Sequence, residues 1–156
     1  MKEKTCCFTG HRTLPANKIQ AIITILDREI DALIEKGVTD FISGGALGFD
    51  QIAASLIVAK KETGKQIRLI FALPFKNQDA LWNEKQTELY QNLLGEADEI
   101  IYVSESYDSF CMKRRNKYMV EQSAYCICAL LHEKSGAGQT VRFARKKGRT
   151  IVNAAL

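Results

Sequence analysis

Two kinds of hydrophobic pattern alternate along the chain. In one, apolar side chains recur every three or four residues, as a helix requires; the first such segment spans residues 19–34 and ends before Gly37. In the other, a short continuous apolar run such as residues 69–73 is typical of a buried strand. The pattern predicts strands over residues 5–9, 40–43, 67–73, 100–103, 124–131 and 150–152. It predicts four further helices over residues 48–63, 80–94, 110–122 and 138–147.

The central strands are apolar throughout instead of alternating between apolar and polar. Strands with this pattern are buried on both faces, as in parallel sheets that are covered by helices. The sequence therefore predicts the α/β class, as a three-layer Rossmann-like fold with a mostly parallel sheet and helices on both faces. At 156 residues, with no internal repeat or linker, we expect one domain over residues 1–156.

Three glycine-containing turns follow predicted strands, at residues 9–12, 43–50 and 135–140. Glycine lets the backbone approach a ligand closely, and a helix that starts at such a turn offers free N–H groups and the positive end of its dipole. In doubly wound folds, ligands bind at the carboxyl ends of the strands. Three turns of this kind in one domain predict a phosphate-bearing ligand.

Composition narrows the range of partners. The formal net charge is +4, and basic residues cluster at 113–117 and 142–149. Most of these charges are typical of a solvated helix face. Binding of a nucleic acid by these residues is an open alternative. No apolar run is long enough to cross a bilayer or to form the core of a signal peptide, so we expect a cytoplasmic protein without a membrane partner. The five cysteines include no Cys-x-x-Cys pair, and with two histidines they predict buried apolar side chains and no metal site.

Several well-known motifs are missing. A Gly-x-Gly-x-x-Gly fingerprint placed on Ser43, Gly45 and Gly48 lacks its first glycine, and no acidic residue ends the next strand. No Gly-Lys-Ser/Thr, His-Glu-x-x-His or Gly-x-Ser-x-Gly sequence occurs. The sequence therefore gives no support for classical hydride transfer, P-loop chemistry, zinc proteolysis or a serine-hydrolase triad.

A different set of motifs carries a family resemblance. In order, these are Gly-His-Arg at residues 10–12, Gly-Gly-Ala-x-Gly-x-Asp at 44–50, Pro-Phe at 74–75, Arg-Asn-x-x-Met-Val at 115–120, and the glycine turn from residue 136. The chain resembles the YpsA-like branch of the SLOG superfamily, a Rossmann-like group that includes the lonely-guy phosphoribohydrolases and the DNA-processing protein DprA. The resemblance implies a nucleotide or a nucleotide-derived ligand, such as ADP-ribose or NAD, and no required cofactor.

The chain also departs from the family at its last loop. The family often has Gly-Gly-Thr where this chain has Ser-Gly-Ala at 135–137. The lonely-guy enzymes carry acidic residues just after this loop, whereas residues 140–143 here contain none. The phosphoribohydrolase mechanism of those enzymes is therefore not expected here.

Each candidate site residue has a role that its chemistry suggests. The glycine turns would bind phosphate through backbone N–H groups, and Arg12 would neutralise it. His11 would donate to the phosphate or lock its own loop, and Phe75 would stack on a base. Asp50 either complements the helix dipole, binds a ribose hydroxyl or acts as a general acid or base. The predicted ligand-binding residues are Gly10, His11, Arg12, Ser43, Gly44, Gly45, Gly48, Asp50, Phe75, Arg115, Asn116, Gly136, Gly138, Gln139 and Thr140.

Three functions follow in order of preference. The first is a nucleotide-binding sensor or regulator. The second is an enzyme on the same site that cleaves an N-glycosidic or phosphoribosyl bond, with Asp50 as the candidate catalytic residue. The third is a DprA-like protein that binds single-stranded DNA through its basic segments. Folds of this kind often dimerise, so a homo-oligomer is an open alternative.

Overall fold

A six-stranded sheet forms the centre of the molecule. The computed structural model describes all 156 residues. Every pair of neighbouring strands is parallel, so the mostly parallel sheet expected from the sequence is parallel throughout. The strands are β1 (Thr5–Gly10), β2 (Asp40–Ser43), β3 (Arg68–Leu73), β4 (Glu99–Tyr102), β5 (Tyr125–Ala129) and β6 (Thr150–Asn153).

Helices cover both faces of this sheet and complete the predicted three layers. They are α1 (Ala16–Glu35), α2 (Phe49–Glu62), α3 (Glu84–Gly95), α4 (Cys111–Glu121) and α5 (Gly136–Lys146). The larger apolar cluster joins α1, α2 and α3 to one face, where Phe8 and Phe41 stack with ring centroids 6.1 Å apart. The smaller clusters join α4 and α5 to the opposite face through Met119, Val120 and Ala144.

The strand order creates a crevice in the middle of the sheet. The order is β4-β3-β2-β1-β5-β6, so the chain first moves outward from β1 to β4 and then crosses back, through α4, to the other side of β1. The segments that follow β1 and β5 therefore leave toward opposite faces of the sheet. The carboxyl ends of these two strands form the topological switch point at which doubly wound folds bind ligands.

All eleven predicted elements are present, and each helix begins within four residues of its predicted start. Helix α3 begins at Glu84 and not at residue 80, because Asn83 forms a capping box with Gln86. Residues 80–83 form a turn instead, which leaves Leu81 98% exposed. Helix α5 begins at Gly136 and not at residue 138, because Ser135 caps it.

The five cysteines are buried and free, as expected from the sequence. Cys7 and Cys126 are direct neighbours in the register of β1 and β5. Nowhere do three or more His, Cys, Asp or Glu side chains lie close enough together to hold a metal ion. None of the helices has the length and apolar character that crossing a membrane requires.

Candidate functional site

A cleft of about 430 Å³ opens at the switch point between β1 and β5. Four segments form its walls: the loop after β1, the start of α2 with the turn before it, one face of α4, and the loop that leads from β5 into α5. The lining residues are Thr9, Gly10, His11, Arg12, Thr13, Ala46, Asp50, Met112, Arg115, Asn116, His132, Ser135, Gly136 and Ala137.

Of the predicted site residues, the cleft collects Gly10, His11, Arg12, Asp50, Arg115, Asn116 and Gly136. Ser43, Gly44, Gly45 and Gly48 do not line it. Phe75 lines a second groove, which adjoins the cleft and is described below. Gln139 and Thr140 line a third groove, between α4 and α5. Gly138 is buried in the first turn of α5. Ligand contact by any of these residues stays a prediction.

His11 locks two loops of the cleft together. Its Nε2 accepts a hydrogen bond from the N–H of Leu131 at 3.0 Å, and its ring stacks on that of His132 with centroids 4.1 Å apart. Burial, and then the nearby His132, hold the pKa of His11 below its usual value. With Nε2 accepting, the neutral ring carries its proton on Nδ1. Of the two roles considered for His11, its contacts favour the structural one.

Within the turn between β2 and α2, the hydroxyl of Ser43 and the carbonyl of Gly45 have hydrogen-bond partners from the same segment, residues 43–51. The Ser43 hydroxyl accepts from the N–H of Gly45 at 3.2 Å and donates to the carbonyl of Asp50 at 2.8 Å. The carbonyl of Gly45 accepts from Gln51 at 3.2 Å. Ala46 and Asp50 are the residues of this turn that line the cleft, and phosphate binding by its glycine amides stays a prediction.

Glycines in this turn allow separate segments to approach closely. Gly48 has φ +85°, and a Cβ there would collide with the carbonyl of Arg12. The adjacent N–H of Phe49 donates to the carbonyl of His11 at 3.1 Å, which joins α2 to the loop after β1. At Gly44, a Cβ would lie 2.5 Å from Arg115 Nη1 and 2.8 Å from Asp50 Oδ2.

Arg115 and Asp50 are therefore neighbours, and both are buried. Arg115 donates to the carbonyl of Gly44 at 2.6 Å and to Asn116 Oδ1 at 2.8 Å. Burial raises the pKa of Asp50 to about 6, although Arg115, the N–H of Ala46 and Arg12 each act to lower it. Burial likewise holds the pKa of Arg115 below its usual value. The cleft thus contains a carboxyl group that can exchange a proton near neutral pH.

The N-terminus of α5 supplies free donors to the same cleft. Ser135 Oγ accepts from the N–H of Gly138 at 2.9 Å, so that amide is already used. Gly136 and Ala137 both line the cleft, and their N–H groups have no partner within the chain. Such a helix end is a general anion-binding feature of proteins.

A basic groove of about 300 Å³ lies beside the cleft, between α4 and α5. It is lined by Lys113, Asn116, Lys117, Gln139, Thr140, Arg142 and Phe143. Asn116 belongs to both cavities, so the basic groove adjoins the cleft. The ammonium groups of Lys117 and Lys147 lie 5.4 Å and 5.6 Å from the centre of the Phe143 ring. The hydroxyl of Thr140 donates to the carbonyl of Gly136 and is thereby used within α5.

An aromatic groove of about 780 Å³ adjoins the cleft on its other side and shares Arg12 and Met112 with it. Phe75 contacts Tyr107 edge to face there, with centroids 5.5 Å apart. The sequence analysis assigned no function to Tyr107, Met112 or His132. The rule that ligands bind at the carboxyl ends of strands points to two of them, since Tyr107 follows β4 and His132 follows β5.

A protein family and several bacterial proteins are similar in sequence to this chain. The family model YpsA, described as the YspA SLOG family, matches residues 6–150. The SPbeta prophage-derived protein YoqJ of Bacillus subtilis is 34% identical over 132 residues, which cover 74% of this chain and 77% of YoqJ. UPF0398 protein BH1768 of Halalkalibacterium halodurans is 30% identical over 113 residues, which cover 71% of this chain and 60% of that protein.

Solved structures of DprA share the fold. DprA from Streptococcus pneumoniae superposes with a TM-score of 0.68 at 16% identity, over 96% of this chain and 50% of the DprA chain. DprA from Helicobacter pylori, whose structure was solved for its single-stranded DNA binding mode, gives 0.65 at 20% identity, over 96% of this chain and 64% of that one. At these identities the likeness concerns the fold alone. The family model, however, spans nearly the whole sequence and confirms the resemblance seen in its motifs: the chain belongs to the YspA SLOG family.

Proposed function

We propose that the protein is a sensor or regulator that binds a phosphate-bearing nucleotide, or an ADP-ribose- or NAD-like molecule, in the cleft at the switch point. The observation that carries this proposal is the pairing of the free N–H groups of Gly136 and Ala137 with the exposed guanidinium of Arg12 around one cavity. A helix N-terminus and an arginine fork both favour a phosphate group.

The charges around the cleft support the same ligand. Neither Arg12 nor Arg115 takes part in an ion pair within the chain. Asp50, the one acidic residue that lines the cleft, has a pKa of about 6, so at neutral pH it is mostly ionised and offsets one of the two arginine charges, whereas near pH 5 it is mostly neutral. A phosphate group would compensate the positive charge that remains.

Thermal unfolding with pyrophosphate, ADP and ADP-ribose tests the proposal. A ligand at 100 times its Kd adds about 2.7 kcal/mol to the free energy of unfolding, which raises the Tm of a chain this long by about 5–10 °C. Arg12→Ala should weaken binding about 10- to 100-fold, the usual range for a charged hydrogen bond. Arg28→Ala, an arginine on α1 with its side chain 70% exposed, should leave binding unchanged. If none of the three compounds changes the Tm, the proposal is wrong.

Asp50 favours a second candidate, an enzyme that hydrolyses an N-glycosidic bond on the same site. A buried carboxyl with a pKa near 6 suits a general acid that protonates a leaving base while water adds to the sugar carbon. Incubation with nucleoside 5′-monophosphates and ADP-ribose would then release free base, and Asp50→Asn would abolish the release. If no base forms while the ligand remains bound, the binding function stands alone.

The basic groove favours a third candidate, binding of single-stranded DNA, because it combines lysines and an arginine with Phe143. The DprA protein of Helicobacter pylori binds single-stranded DNA on a related fold. An oligodeoxynucleotide should then bind with an affinity that falls steeply as salt rises. Lys117→Glu should weaken this binding, whereas absence of binding at 50 mM salt would exclude this candidate.

A further inference from the structure

Two adjacent stripes of side chains run along α4, and one residue belongs to both. Met112, Arg115 and Asn116 line the cleft, whereas Lys113, Asn116 and Lys117 line the basic groove. In each stripe the second and third residues follow the first by three and four positions, so all three are neighbours on the helix surface. The cleft and the basic groove therefore meet at Asn116.

Helix α5 forms the wall opposite α4. Its first residues, Gly136 and Ala137, line the cleft, and Gln139 and Thr140 line the basic groove. Since a helix rises 1.5 Å per residue, the groove begins about 5 Å from the free amides at the start of α5. A molecule bound to these amides can therefore extend into the basic groove.

Asn116 has a free donor at this junction. Its Oδ1 accepts from Arg115 Nε at 2.8 Å, and this bond determines the orientation of the amide because an arginine can only donate. Its Nδ2 has no partner within the chain. Since Gln78 Oε1 is the only buried side-chain nitrogen or oxygen without a partner, Nδ2 of Asn116 is accessible to solvent.

The basic groove contains positive charge that the protein does not compensate. No Asp or Glu lines it. Lys113 and Lys117 take part in no ion pair, whereas Arg142 pairs with Glu133 at 3.6 Å. The ammonium of Lys117 lies 5.4 Å from the centre of the Phe143 ring, and that ring packs against the apolar cluster beneath α4 and α5. This cation–π contact stabilises the ammonium at the groove.

From this arrangement we infer that the basic groove is a second phosphate subsite, so that the ligand of the cleft carries two phosphate groups. One phosphate binds at the start of α5 with Arg12, and the other contacts Lys113 and Lys117. This inference rests on the proposed function, in which the first phosphate occupies the cleft. Two kinds of nucleotide have the required chemistry: a 5′-diphosphate, and a nucleotide with phosphates at two positions of its ribose.

Calorimetric titration with three adenine nucleotides tests the inference. AMP has one phosphate, ADP has two in a chain, and adenosine 3′,5′-bisphosphate has two at separate ribose positions. At low salt we expect one of the two-phosphate nucleotides to bind about 10-fold more tightly than AMP, the usual effect of a charged hydrogen bond. Which of them binds more tightly distinguishes the two kinds of ligand. The difference from AMP should shrink as added salt screens the lysines.

Exposed lysines give variants that should keep the fold. The double variant of Lys113→Gln and Lys117→Gln should weaken binding of the preferred two-phosphate nucleotide about 10-fold more than binding of AMP, because AMP has no phosphate in the groove. Lys36→Gln is the control, since Lys36 is an exposed lysine at the end of α1, on the opposite face of the sheet. It should retain the full preference. The Tm without ligand checks that all variants are folded.

The results separate this inference from the proposal on which it rests. If AMP binds but neither two-phosphate nucleotide binds more tightly, or the double lysine variant loses affinity for all three nucleotides equally, the second subsite is wrong and the phosphate cleft stands. If none of the three nucleotides binds, both proposals are overturned. Salt-dependent binding of an oligodeoxynucleotide that the double variant loses, with no preference among the nucleotides, would assign the groove to DNA instead.

Discussion

At the scale of single residues, close approaches between segments distant in sequence determine the geometry of the cleft. Gly48 allows α2 to begin against the loop after β1, and Gly44 leaves room for Arg115 and Asp50 on its open side. A side chain at either position would separate these segments. The sequence pattern predicts that such glycines lie in turns. Only the tertiary structure shows which segment packs against each glycine.

Gly48→Ala should destabilise the protein by roughly 2–4 kcal/mol, because it combines a left-handed backbone with a collision against the Arg12 carbonyl. The control is Gly37→Ala, since Gly37 has φ +99° with no atom within 4 Å of the added Cβ. That variant should lose only about 1 kcal/mol, from the backbone strain alone. Urea unfolding measures the free energy of unfolding of both variants. Equal decreases in the two variants would show that the close approach at Gly48 does not contribute to stability.

The raised pKa of Asp50 leads us to expect a specific dependence of the free energy of unfolding on pH. Its pKa rises from 3.8 to about 6 on folding, so the folded state holds the proton more tightly than the unfolded state. Its contribution to the free energy of unfolding is therefore greatest below pH 3.8, and is lost as the pH rises through 6. The two pKa values lie about two pH units apart, which corresponds to about 3 kcal/mol.

Comparison with Asp50→Asn isolates this effect. The free energy of unfolding of the wild type, minus that of the variant, should fall between about pH 4 and pH 6.5 and then level off. Urea unfolding at a series of pH values measures this difference. A difference that stays constant over that range would contradict the raised pKa.

At the scale of elements, N-terminal caps decide where two helices begin. The start of each helix in turn decides which residues line the cleft and the neighbouring aromatic groove. Asn83 starts α3 at Glu84, which leaves the turn of residues 80–83 on the aromatic groove. Ser135 starts α5 at Gly136, two residues before the predicted start. The amides of Gly136 and Ala137 therefore lie in the first turn of the helix, where N–H groups are free.

The two caps give a matched pair of variants. Ser135→Ala and Asn83→Ala should each cost about 1 kcal/mol of stability, the usual effect of losing an N-cap. Only Ser135→Ala should weaken pyrophosphate binding, because Ser135 lines the cleft and Asn83 does not. Thermal unfolding and calorimetric titration measure the two effects. Equal pyrophosphate affinities in both variants would exclude α5 from the anion site.

At the scale of the whole molecule, the strand order brings the cleft together. β1 lies between β2 and β5, so the loops that follow β1 and β5 meet although more than 100 residues separate them in sequence. Arg115, from α4, then reaches across the sheet edge to the carbonyl of Gly44. The cleft is a product of this topology and not of any one motif.

Burial of the cysteines makes thiol reactivity a measure of global unfolding. Four of the five lie on the central strands β1 and β5, and all are buried. A thiol reagent should label these four only as fast as the sheet opens, whereas Cys111, at the start of α4, should react earlier as that helix end frays. All five should react at once in denaturant. Rapid labelling of two or more thiols in the native protein would contradict the closed central sheet.

The sequence by itself determined the elements and the fold class, because helical and strand periodicities are local properties that single segments carry. It also indicated the edge of the sheet where the site lies, since Gly10, Gly44 and Ser135 all follow strands. It did not give the strand order, nor which residues line the cleft. Of the turn after β2, the residues that line the cleft are Ala46, which the sequence did not single out, and Asp50, which it did. That selection depends on contacts between residues far apart in the chain, such as Arg115 with Gly44, and only tertiary packing decides them.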